Sequence, residues 1–485
     1  MVSRRHPAHN SIQVSSLNHF RLSLNTKILT IMQEKEQIIS TEGLPVINPK
    51  VAGIDVGSKS HFIAVGQKPE DVWEIGCYTE DYHRAAEKLI AFGITSVAME
   101  STGSYWKGLY LILQDYGLEV LLVCGKFTKN VRGRKTDVLD CQWIQKLHSC
   151  AMLTGSYIPD NFTESVREIS RHRKNLIDNA ADYIKKMQKS LRLMNIRLDN
   201  ALRDVTGKSG QAIIQAIIKG ERDGKKLAEL ADWRVKKSKE ELSKALTGDW
   251  RSDLVFELKQ SYEIYLLLHE KIQESDKEIE RLLQQELEIQ EQQKGTLPEY
   301  KSDIKKKVNK NDPKINVEEF AYQLFGGIDL MKVDGISRSI LLVFVCEIGL
   351  NIDKFPCAKK FAAWLGLAPN TKKTGGKVIS SHTPKKKMYL ANALRQAANV
   401  IGNGNSTLSH FFHRICYKKG RMKAITATAH KLAIIIWNML TKKEQYQYVS
   451  EEKYKEQIRN QQLKRMQRKI AEFGITAEEL AFVKS

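Results

Sequence analysis

Four acidic residues are the positions in this sequence best placed to do chemistry. They are Asp55, Glu100, Asp137 and Asp140. Asp55 and Glu100 each close a short apolar run typical of a β-strand and precede a glycine-containing segment. Asp137 and Asp140 are three residues apart at the start of a predicted helix, so both project from one face. We predict that the four side chains meet in a folded α/β domain.

Such a cluster of carboxylates predicts a metal site. Neighbouring carboxylates repel one another, and hard divalent cations such as Mg²⁺ prefer oxygen ligands, so the cluster suits metal-dependent phosphoester chemistry. Taken singly, each residue is more simply explained as a solvated surface group or a helix cap, and Asp137 is a candidate N-cap. The prediction rests on the combination and on three basic residues expected to contact nucleic acid, which are Arg132, Arg134 and Lys135.

Residues 369–387 form a second candidate site. We expect an exposed loop between two helical stretches, with lysines that attract phosphate and a glycine pair that permits close backbone approach. Its candidate hydroxyl nucleophiles are Thr374, Ser380, Ser381 and Thr383. The residues expected to contact phosphate are Lys372, Lys373, Gly375, Gly376 and Lys377. A flexible surface loop has the same composition, so simple exposure is the alternative.

An N-terminal α/β region and a mostly helical remainder must position these residues. The β-like runs are 51–55, 62–65, 96–100 and 120–123, and a helical stretch separates the last two. The β signal fades after Phe162, and a long basic helix is predicted over 163–205. Heptads over 254–293 predict a coiled coil or a helical hairpin arm. Packing within the chain is one role for this arm. Dimerisation or spanning between domains is the other, and we favour it.

A helical C-terminal domain is predicted to begin near Val317. Its turn around Gly335 either binds a DNA phosphate through backbone N–H groups or forms a plain helix hairpin. The predicted divisions are a disordered extension at 1–48, a catalytic domain at 49–160, a helical and coiled-coil region at 161–300, a linker at 301–316, the helical domain at 317–445 and a basic helical tail at 446–485.

The charge balance favours a polyanionic partner. The chain has 77 Lys and Arg against 56 Asp and Glu, a net charge of +21. Its seven cysteines lack paired metal-binding spacing, which indicates reduced intracellular thiols. No apolar run approaches the roughly 20 residues that span a bilayer, and the first residues lack the apolar core of a signal peptide, so we expect a soluble protein without a membrane partner. Met32 is an alternative candidate start.

Seven ordered motifs between about residues 51 and 440 resemble one family. They are Gly-Ile-Asp-Val-Gly-Ser at 53–58, Ala-Met-Glu-Ser-Thr-Gly at 98–103, Lys-Thr-Asp-Val-Leu-Asp at 135–140, Val-Asp-Gly-Ile at 333–336, Phe-Ala-Ala-Trp-Leu-Gly-Leu-Ala-Pro at 361–369, Thr-Gly-Gly-Lys at 374–377 and Ala-Ile-Thr-Ala-Thr-Ala-His-Lys-Leu at 424–432. The set is similar to that of the DEDD transposases of insertion-sequence family one-ten, the RNA-guided recombinases of mobile elements.

The resemblance implies a RuvC-like, ribonuclease H-type domain, a central coiled-coil arm and a helical C-terminal transposase domain. It implies that Asp55, Glu100, Asp137 and Asp140 bind Mg²⁺, while a C-terminal serine attacks the DNA phosphate and forms a covalent intermediate. It also implies an element-encoded guide RNA, a homo-oligomer (dimer or tetramer), and action in the bacterial cytoplasm at the nucleoid.

One residue departs from the family motif. Where the family has Ser-Gly-Gly-Lys, this chain has Thr374, whose β-branch stiffens χ1 and crowds an in-line attack. Either Thr374 is the nucleophile, or Ser380 or Ser381 substitutes, or this copy is inactive. Two further functions stay open: a RuvC-like nuclease that uses water, and a nucleic-acid binder with a decayed metal site.

Overall fold

The computed structural model describes residues 44–125, 136–301, 306–350, 352–386, 388–447 and 451–474. The chain divides into two compact units, one ending at Ile158 and one beginning at Pro159. The first contains a large sheet, and the second is mostly helical. The predicted extension at 1–48 lies outside the described residues except for its last five positions.

The first unit is built on a five-stranded mixed sheet. In chain order its strands are β1 (Val51–Val56), β2 (His61–Ala64), β3 (Val72–Ile75), β4 (Ser96–Glu100) and β5 (Glu119–Val123). Their order across the sheet is β3-β2-β1-β4-β5. β1 pairs antiparallel with β2, and β2 with β3, whereas the pairs β1–β4 and β4–β5 are parallel. The central strand therefore joins an antiparallel half to a parallel half.

Helices cover both faces of this sheet. On one face, α1 (Thr79–Ala91) and α2 (Trp106–Asp115) bury apolar side chains against alternate residues of the central strands, as the two-residue period of a strand requires. The fully buried residues at the centre of this core include Ile54, Leu89, Met99, Leu109 and Leu113. On the other face, α3 (Asp137–Ser149) packs against β1.

The α/β prediction is confirmed for this unit, whose sheet and covering helices are consistent with a RuvC-like domain. β4 has the predicted bounds, and the other three predicted strands differ by one residue at one or both ends. β3 and α1 were not predicted from the sequence. β3 is a four-residue edge strand with no buried residue, so it carries no alternating apolar signal. α1 did carry a helical signal, since its buried residues have spacings of three and four.

The second unit begins with a long helical hairpin. α4 (Asn161–Leu193) leads into four short helices, and α9 (Ser252–Lys294) then returns to pack against α4. The short helices are α5 (Leu198–Ala201), α6 (Lys208–Ile218), α7 (Gly224–Glu229) and α8 (Lys239–Ala245). The helix predicted over 163–205 was too long at its C-terminal end. It ends at Leu193, because Asn195 adopts a left-handed φ of +56° and turns the chain.

The heptad stripe of α9 is used within the chain. Its predicted positions Leu258, Tyr265, Ile272 and Ile279 are all buried. Two of them, Leu258 and Tyr265, share a core with Met187 and Leu191 of α4. Packing against α4 therefore accounts for Leu258 and Tyr265, and the favoured role in dimerisation or in spanning between domains stays a prediction.

A buried ion pair fastens this hairpin to the segment that follows. Nε of Arg173 lies 2.5 Å from Oδ1 of Asp276, and the guanidinium also donates to the carbonyl oxygen of Asn311 at 3.2 Å. The backbone N–H of Lys314 donates to Oδ2 of Asp276 at 3.3 Å. Within the predicted linker at 301–316, residues 307–311 are exposed, whereas Asp312 and Ile315 are buried and hold the end of the segment against its neighbours.

The remainder of the second unit is helical, with one small hairpin. Its elements are α10 (Val317–Leu324), α11 (Arg338–Ile348), α12 (Ala358–Trp364), β6 (Lys372–Thr374), β7 (Lys377–Ser380), α13 (Tyr389–Ile401), α14 (Thr407–Lys419), α15 (Arg421–Lys442) and α16 (Glu451–Phe473). α10 begins at Val317. In the described part of the chain, no helix combines the length and apolar character needed to cross a membrane.

Candidate catalytic site

Asp55 and Glu100 lie on the neighbouring parallel strands β1 and β4, at or next to the C-terminal ends of these strands. We call this end of the sheet, with Asp55, Glu100 and the first turn of α3, the acidic edge. The register pairs Ile54 of β1 with Met99 of β4, so each acidic residue follows directly after a paired position. Since partners in a parallel pair point to the same face, both carboxylates project from the face opposite to Ile54 and Met99. Asp55 is half-buried, and Glu100 is only 6% exposed.

α3 packs on this same face because Gly53 lets its backbone touch the strand. A Cβ at Gly53 would lie 2.2 Å from the backbone nitrogen of Gln145 and 2.4 Å from the carbonyl oxygen of Cys141. No side chain fits there, so glycine is required for this approach. The side-chain amide of Gln145 also donates to the carbonyl oxygen of Val51 at 3.4 Å.

The direction of α3 places its N-terminus at the acidic edge. Its last turn lies at the start of β4, where Nε2 of His148 is 2.9 Å from Oγ of Ser96. Its middle contacts Gly53, so the helix runs antiparallel to β1 and its first turn approaches Asp55. The positive end of the helix dipole therefore points to the edge where the carboxylates lie, which stabilises negative charge there.

Thr136, and not Asp137, is the N-cap of this helix. Oγ1 of Thr136 accepts a hydrogen bond from the N–H of Leu139 at 3.4 Å, and its backbone is extended, with φ −133° and ψ 143°. Asp137 is the first helical residue and is exposed, while Asp140 is half-buried one turn later. The candidate N-cap role of Asp137 was therefore wrong, although both acidic residues lie in the first turn as predicted.

Asp55 and Asp140 both act electrostatically on the thiol of Cys141. Burial of this side chain raises its pKa to about 12, and the negative charges of Asp55 and Asp140 act in the same direction. Both carboxylates therefore act on one buried thiol from two different elements. The thiol therefore stays protonated at neutral pH.

The carboxylate of Glu100 reaches over the end of β5. An ideal Cβ at Gly125 would lie 2.2 Å from Oε1 of Glu100, and the hydroxyl of Thr102 lies 3.5 Å from the same oxygen. Gly125 was not among the site residues predicted from the sequence. The available signal was a glycine two residues after the apolar run that forms β5.

The acidic edge has the donor chemistry of a Mg²⁺ site. Its four candidate ligands are carboxylates, with Glu100 and Asp55 withdrawn from solvent and a helix N-terminus beside them. Among the residues that the structure describes, no three carboxylate, imidazole or thiol groups are close enough together to hold a metal ion. The ligand set accordingly stays a prediction. The predicted nucleic-acid contacts Arg132, Arg134 and Lys135 lie outside the described residues.

The second candidate site is a β-hairpin rather than an irregular loop. Thr374 pairs with Lys377 across a two-residue turn, in which Gly375 and Gly376 have φ values of +55° and +76°. Positive φ at both positions defines a type I′ turn, which suits the twist of a two-stranded ribbon. The glycines are therefore needed for backbone conformation, and a Cβ at either would meet no described atom within 4 Å.

The hairpin presents its hydroxyl and cationic groups to solvent. Thr374, Lys372, Lys373 and Lys377 are exposed, as is Ser381. Ser380 is half-buried, and its Oγ accepts the N–H of His382 at 3.5 Å. As a cross-strand pair, Thr374 and Lys377 leave the ribbon on the same face, so a phosphate held by this lysine would lie beside the hydroxyl.

Two family models match the chain. One, a DEDD-type transposase model of IS110, covers residues 52–196 and therefore the sheet and the acidic edge. The other, described as a transposase of the IS116/IS110/IS902 family, covers residues 329–413 and therefore the hairpin. No curated protein matches the chain.

Proposed function

The chain belongs to the IS110 family of transposases, and from this premise we propose that it is the recombinase of an insertion sequence, which cleaves and rejoins DNA through a hydroxyl nucleophile. The observation that supports the proposal most directly is the shared edge and face of Asp55 and Glu100, with the N-terminus of α3 beside them. Two carboxylates on adjacent strands and two in one helical turn are a suitable set of oxygen ligands.

In this proposal, Asp55, Glu100, Asp137 and Asp140 hold Mg²⁺, which when bound neutralises charge on the phosphate under attack. Burial and the contact with Gly125 orient the carboxylate of Glu100. The dipole of α3 supports the negative charge of Asp137 and Asp140. These groups position the phosphodiester and do not themselves form bonds to it.

Thr374 is the proposed nucleophile. Its Oγ1 forms a bond to phosphorus, the bond to the departing deoxyribose oxygen breaks, and the hydroxyl proton ends on that oxygen. One phosphodiester replaces another, so the energy of the broken strand is kept for rejoining. Lys377 and the other lysines of the hairpin bind the phosphate oxygens, and Gly375 and Gly376 set the turn that presents the hydroxyl.

A guide RNA and an oligomeric state are further parts of the proposal that rest on the family resemblance. With a guide, base pairing would supply sequence choice, and the protein would bind backbone and shape. The net charge of +21 suits a protein that binds two nucleic acids at once. RNA that copurifies with the protein and maps to the flanks of its own gene is the expected observation.

The decisive experiment uses the full chain with paired donor and target DNA and Mg²⁺. We expect a covalent protein–DNA adduct that disappears in Thr374→Ala and persists in Ser380→Ala, with more adduct in Thr374→Ser because the crowding β-methyl is removed. Chelation of Mg²⁺ and Asp55→Asn should each reduce strand transfer at least about a hundredfold.

Two other outcomes would identify the alternatives. Free DNA ends without an adduct would indicate a nuclease that uses water. Unchanged DNA binding in Asp55→Asn, together with no cleavage by the wild-type protein, would indicate a decayed nucleic-acid binder. Strand transfer that survives Asp55→Asn would contradict every enzymatic function assigned to the acidic edge.

A further inference from the structure

A long stretch of the second unit cannot neutralise its own charge. Between residues 354 and 443 the sequence contains 18 Lys and Arg and no Asp or Glu. Cations in this stretch therefore have no carboxylate partner nearby in sequence. Solvent can screen those on the surface, but cations that are partly withdrawn from water need another source of negative charge.

Two such cations lie together between α14 and α15. Nζ of Lys431 is 4.6 Å from the centre of the Phe411 ring, and the guanidinium carbon of Arg414 is 5.5 Å from the same centre. Both side chains are half-buried. Among the described residues, neither forms an ion pair with a carboxylate. The aromatic ring offsets part of the desolvation cost, but it carries no net charge.

The electrostatics of Lys431 agree with this arrangement. Burial lowers the pKa of its ammonium group, and the positive charge of Arg414 acts in the same direction. Two like charges that share one partly desolvated space destabilise each other. An anion between them would reverse that interaction and restore the lost solvation.

Tyr454 of α16 forms a wall of the same space. Its ring centre is 5.9 Å from Nζ of Lys431 and 6.4 Å from the stacked ring of His410. The side chain is 8% exposed, and its hydroxyl is buried without a hydrogen-bond partner among the described residues. An unpaired buried hydroxyl is costly, and a phosphate oxygen is a suitable acceptor for it.

We propose that Arg414, Lys431 and Tyr454 form a phosphate-binding pocket that takes a backbone phosphate of DNA. The three residues lie C-terminal to the segment 329–413 that the family model matches, and Lys431 belongs to the motif at 424–432. The guanidinium and the ammonium group bind the phosphate oxygens, and the phenol donates a third hydrogen bond. This proposal depends on the proposed function only in assuming that the bound polyanion is DNA.

Duplex binding by the full-length protein tests the pocket, measured by fluorescence anisotropy in EDTA over a series of salt concentrations. Because EDTA prevents metal-dependent chemistry, a failure of the proposed catalysis would not affect this assay. Lys431→Met should weaken duplex binding about tenfold and reduce the slope of log affinity against log salt by about 0.9, the value for one lost phosphate contact. Lys442→Met, an exposed lysine on the same helix, is the matched control and should leave the slope less changed.

Two further variants separate a binding role from a structural one. Arg414→Gln combined with Lys431→Met should cost less than the sum of the two single changes, since both groups hold one phosphate. Without DNA, Lys431→Met should raise the melting temperature, because it removes a repelled, partly buried charge. A lower melting temperature together with unchanged duplex affinity would show that Lys431 is structural and would overturn the proposal.

The source of the phosphate is tested separately. Inorganic phosphate and single-stranded RNA are added in parallel with the duplex to wild-type protein and to Lys431→Met. A duplex affinity that depends on Lys431 supports the proposal. Stabilisation by inorganic phosphate alone, or a dependence on Lys431 that appears only with RNA, would contradict the assignment to DNA.

Discussion

The carboxylate of Glu100 occupies the space that a side chain at Gly125 would need. The distance from an ideal Cβ at Gly125 to Oε1 of Glu100 is 2.2 Å, well inside van der Waals contact. Because Glu100 is almost fully buried at the end of a central strand, its carboxylate has little room to move aside. The glycine after β5 thus fixes the position of a proposed metal ligand.

We therefore expect Gly125→Ala to displace the Glu100 carboxylate. A displacement of about 1 Å at a catalytic group costs on the order of a hundredfold in rate, so strand cleavage should fall by at least tenfold while duplex affinity stays within about twofold. Cys124→Ala, at the exposed neighbouring position, should behave as wild type. Wild-type cleavage rates in Gly125→Ala would show that the position of Glu100 is not critical.

The type I′ turn at the hairpin tip makes a second prediction. Gly375→Asn should be tolerated, because asparagine adopts positive φ and Asn-Gly is a preferred pair in this turn. Gly375→Ala should strain the turn by roughly 1–2 kcal/mol and lower adduct yield about tenfold. The yields of the two variants are compared on the same DNA. Equal yields would mean that the turn does not control presentation of Thr374.

The buried ion pair of Arg173 and Asp276 predicts that an Asp→Asn change lowers the free energy of unfolding far more in this pair than in an exposed pair. Asp276→Asn leaves a buried guanidinium uncompensated and should lower the free energy of unfolding of the second unit by about 3–5 kcal/mol. The control change is Asp178→Asn. Asp178 forms an exposed pair with Lys174 on α4, so this change should lower the free energy of unfolding by less than about 0.5 kcal/mol. Denaturant unfolding measures both.

Replacing both members of the buried pair gives the complementary test. The combination of Arg173→Met and Asp276→Leu should recover most of the stability, since no isolated charge remains in the interior. A double variant as unstable as Asp276→Asn would indicate that the hydrogen bonds to Asn311 and Lys314, and not charge balance, dominate.

The buried histidines of the first unit predict a loss of stability in mild acid. Burial lowers the pKa of His148 and of His61 below the ordinary value of 6.5. In the unfolded chain these rings take up a proton near pH 6.5, whereas the folded chain resists protonation. Above pH 6.5 the rings are neutral in both states, so the full free energy of unfolding is present. As the pH falls from 6.5 toward the lowered folded-state pKa values, the unfolded chain binds protons that the folded chain does not, and the free energy of unfolding decreases.

His148→Gln should flatten this dependence. Unfolding midpoints of the first unit are measured between pH 5 and pH 8, and the variant should lose less stability on acidification than wild type. His83→Gln, at an exposed position, serves as the control and should retain the wild-type slope. An unchanged slope in His148→Gln would show that other groups cause the acid sensitivity.

Features that a few neighbouring residues determine were predictable from the sequence, whereas features that depend on packing between distant segments were not. The end of β4 at Glu100 was predictable from its apolar run, and β1 extends only one residue past its predicted end at Asp55. The cap at Thr136 was not, since both Thr136 and Asp137 have side chains that cap helices and only the backbone angles distinguish them.

Features that depend on packing between distant segments could be identified only from the structure. The heptads of α9 look the same whether their partner is α4 or a second subunit, so periodicity could not choose between them. The ribbon at Thr374 was hidden because its lysines and glycines are equally typical of irregular loops. Gly125 became meaningful only when the end of β5 was placed beside Glu100.

The β6–β7 ribbon is small and largely uncovered: Val378 is 56% exposed and Ile379 is 69% exposed. An isolated pair of strands is at best marginally stable in water, so little in the protein itself holds this tip in one orientation. In the proposed mechanism, contact with DNA would supply much of that order. The Thr374 hydroxyl would then reach its reactive orientation only after the correct strand has docked, which would limit premature cleavage.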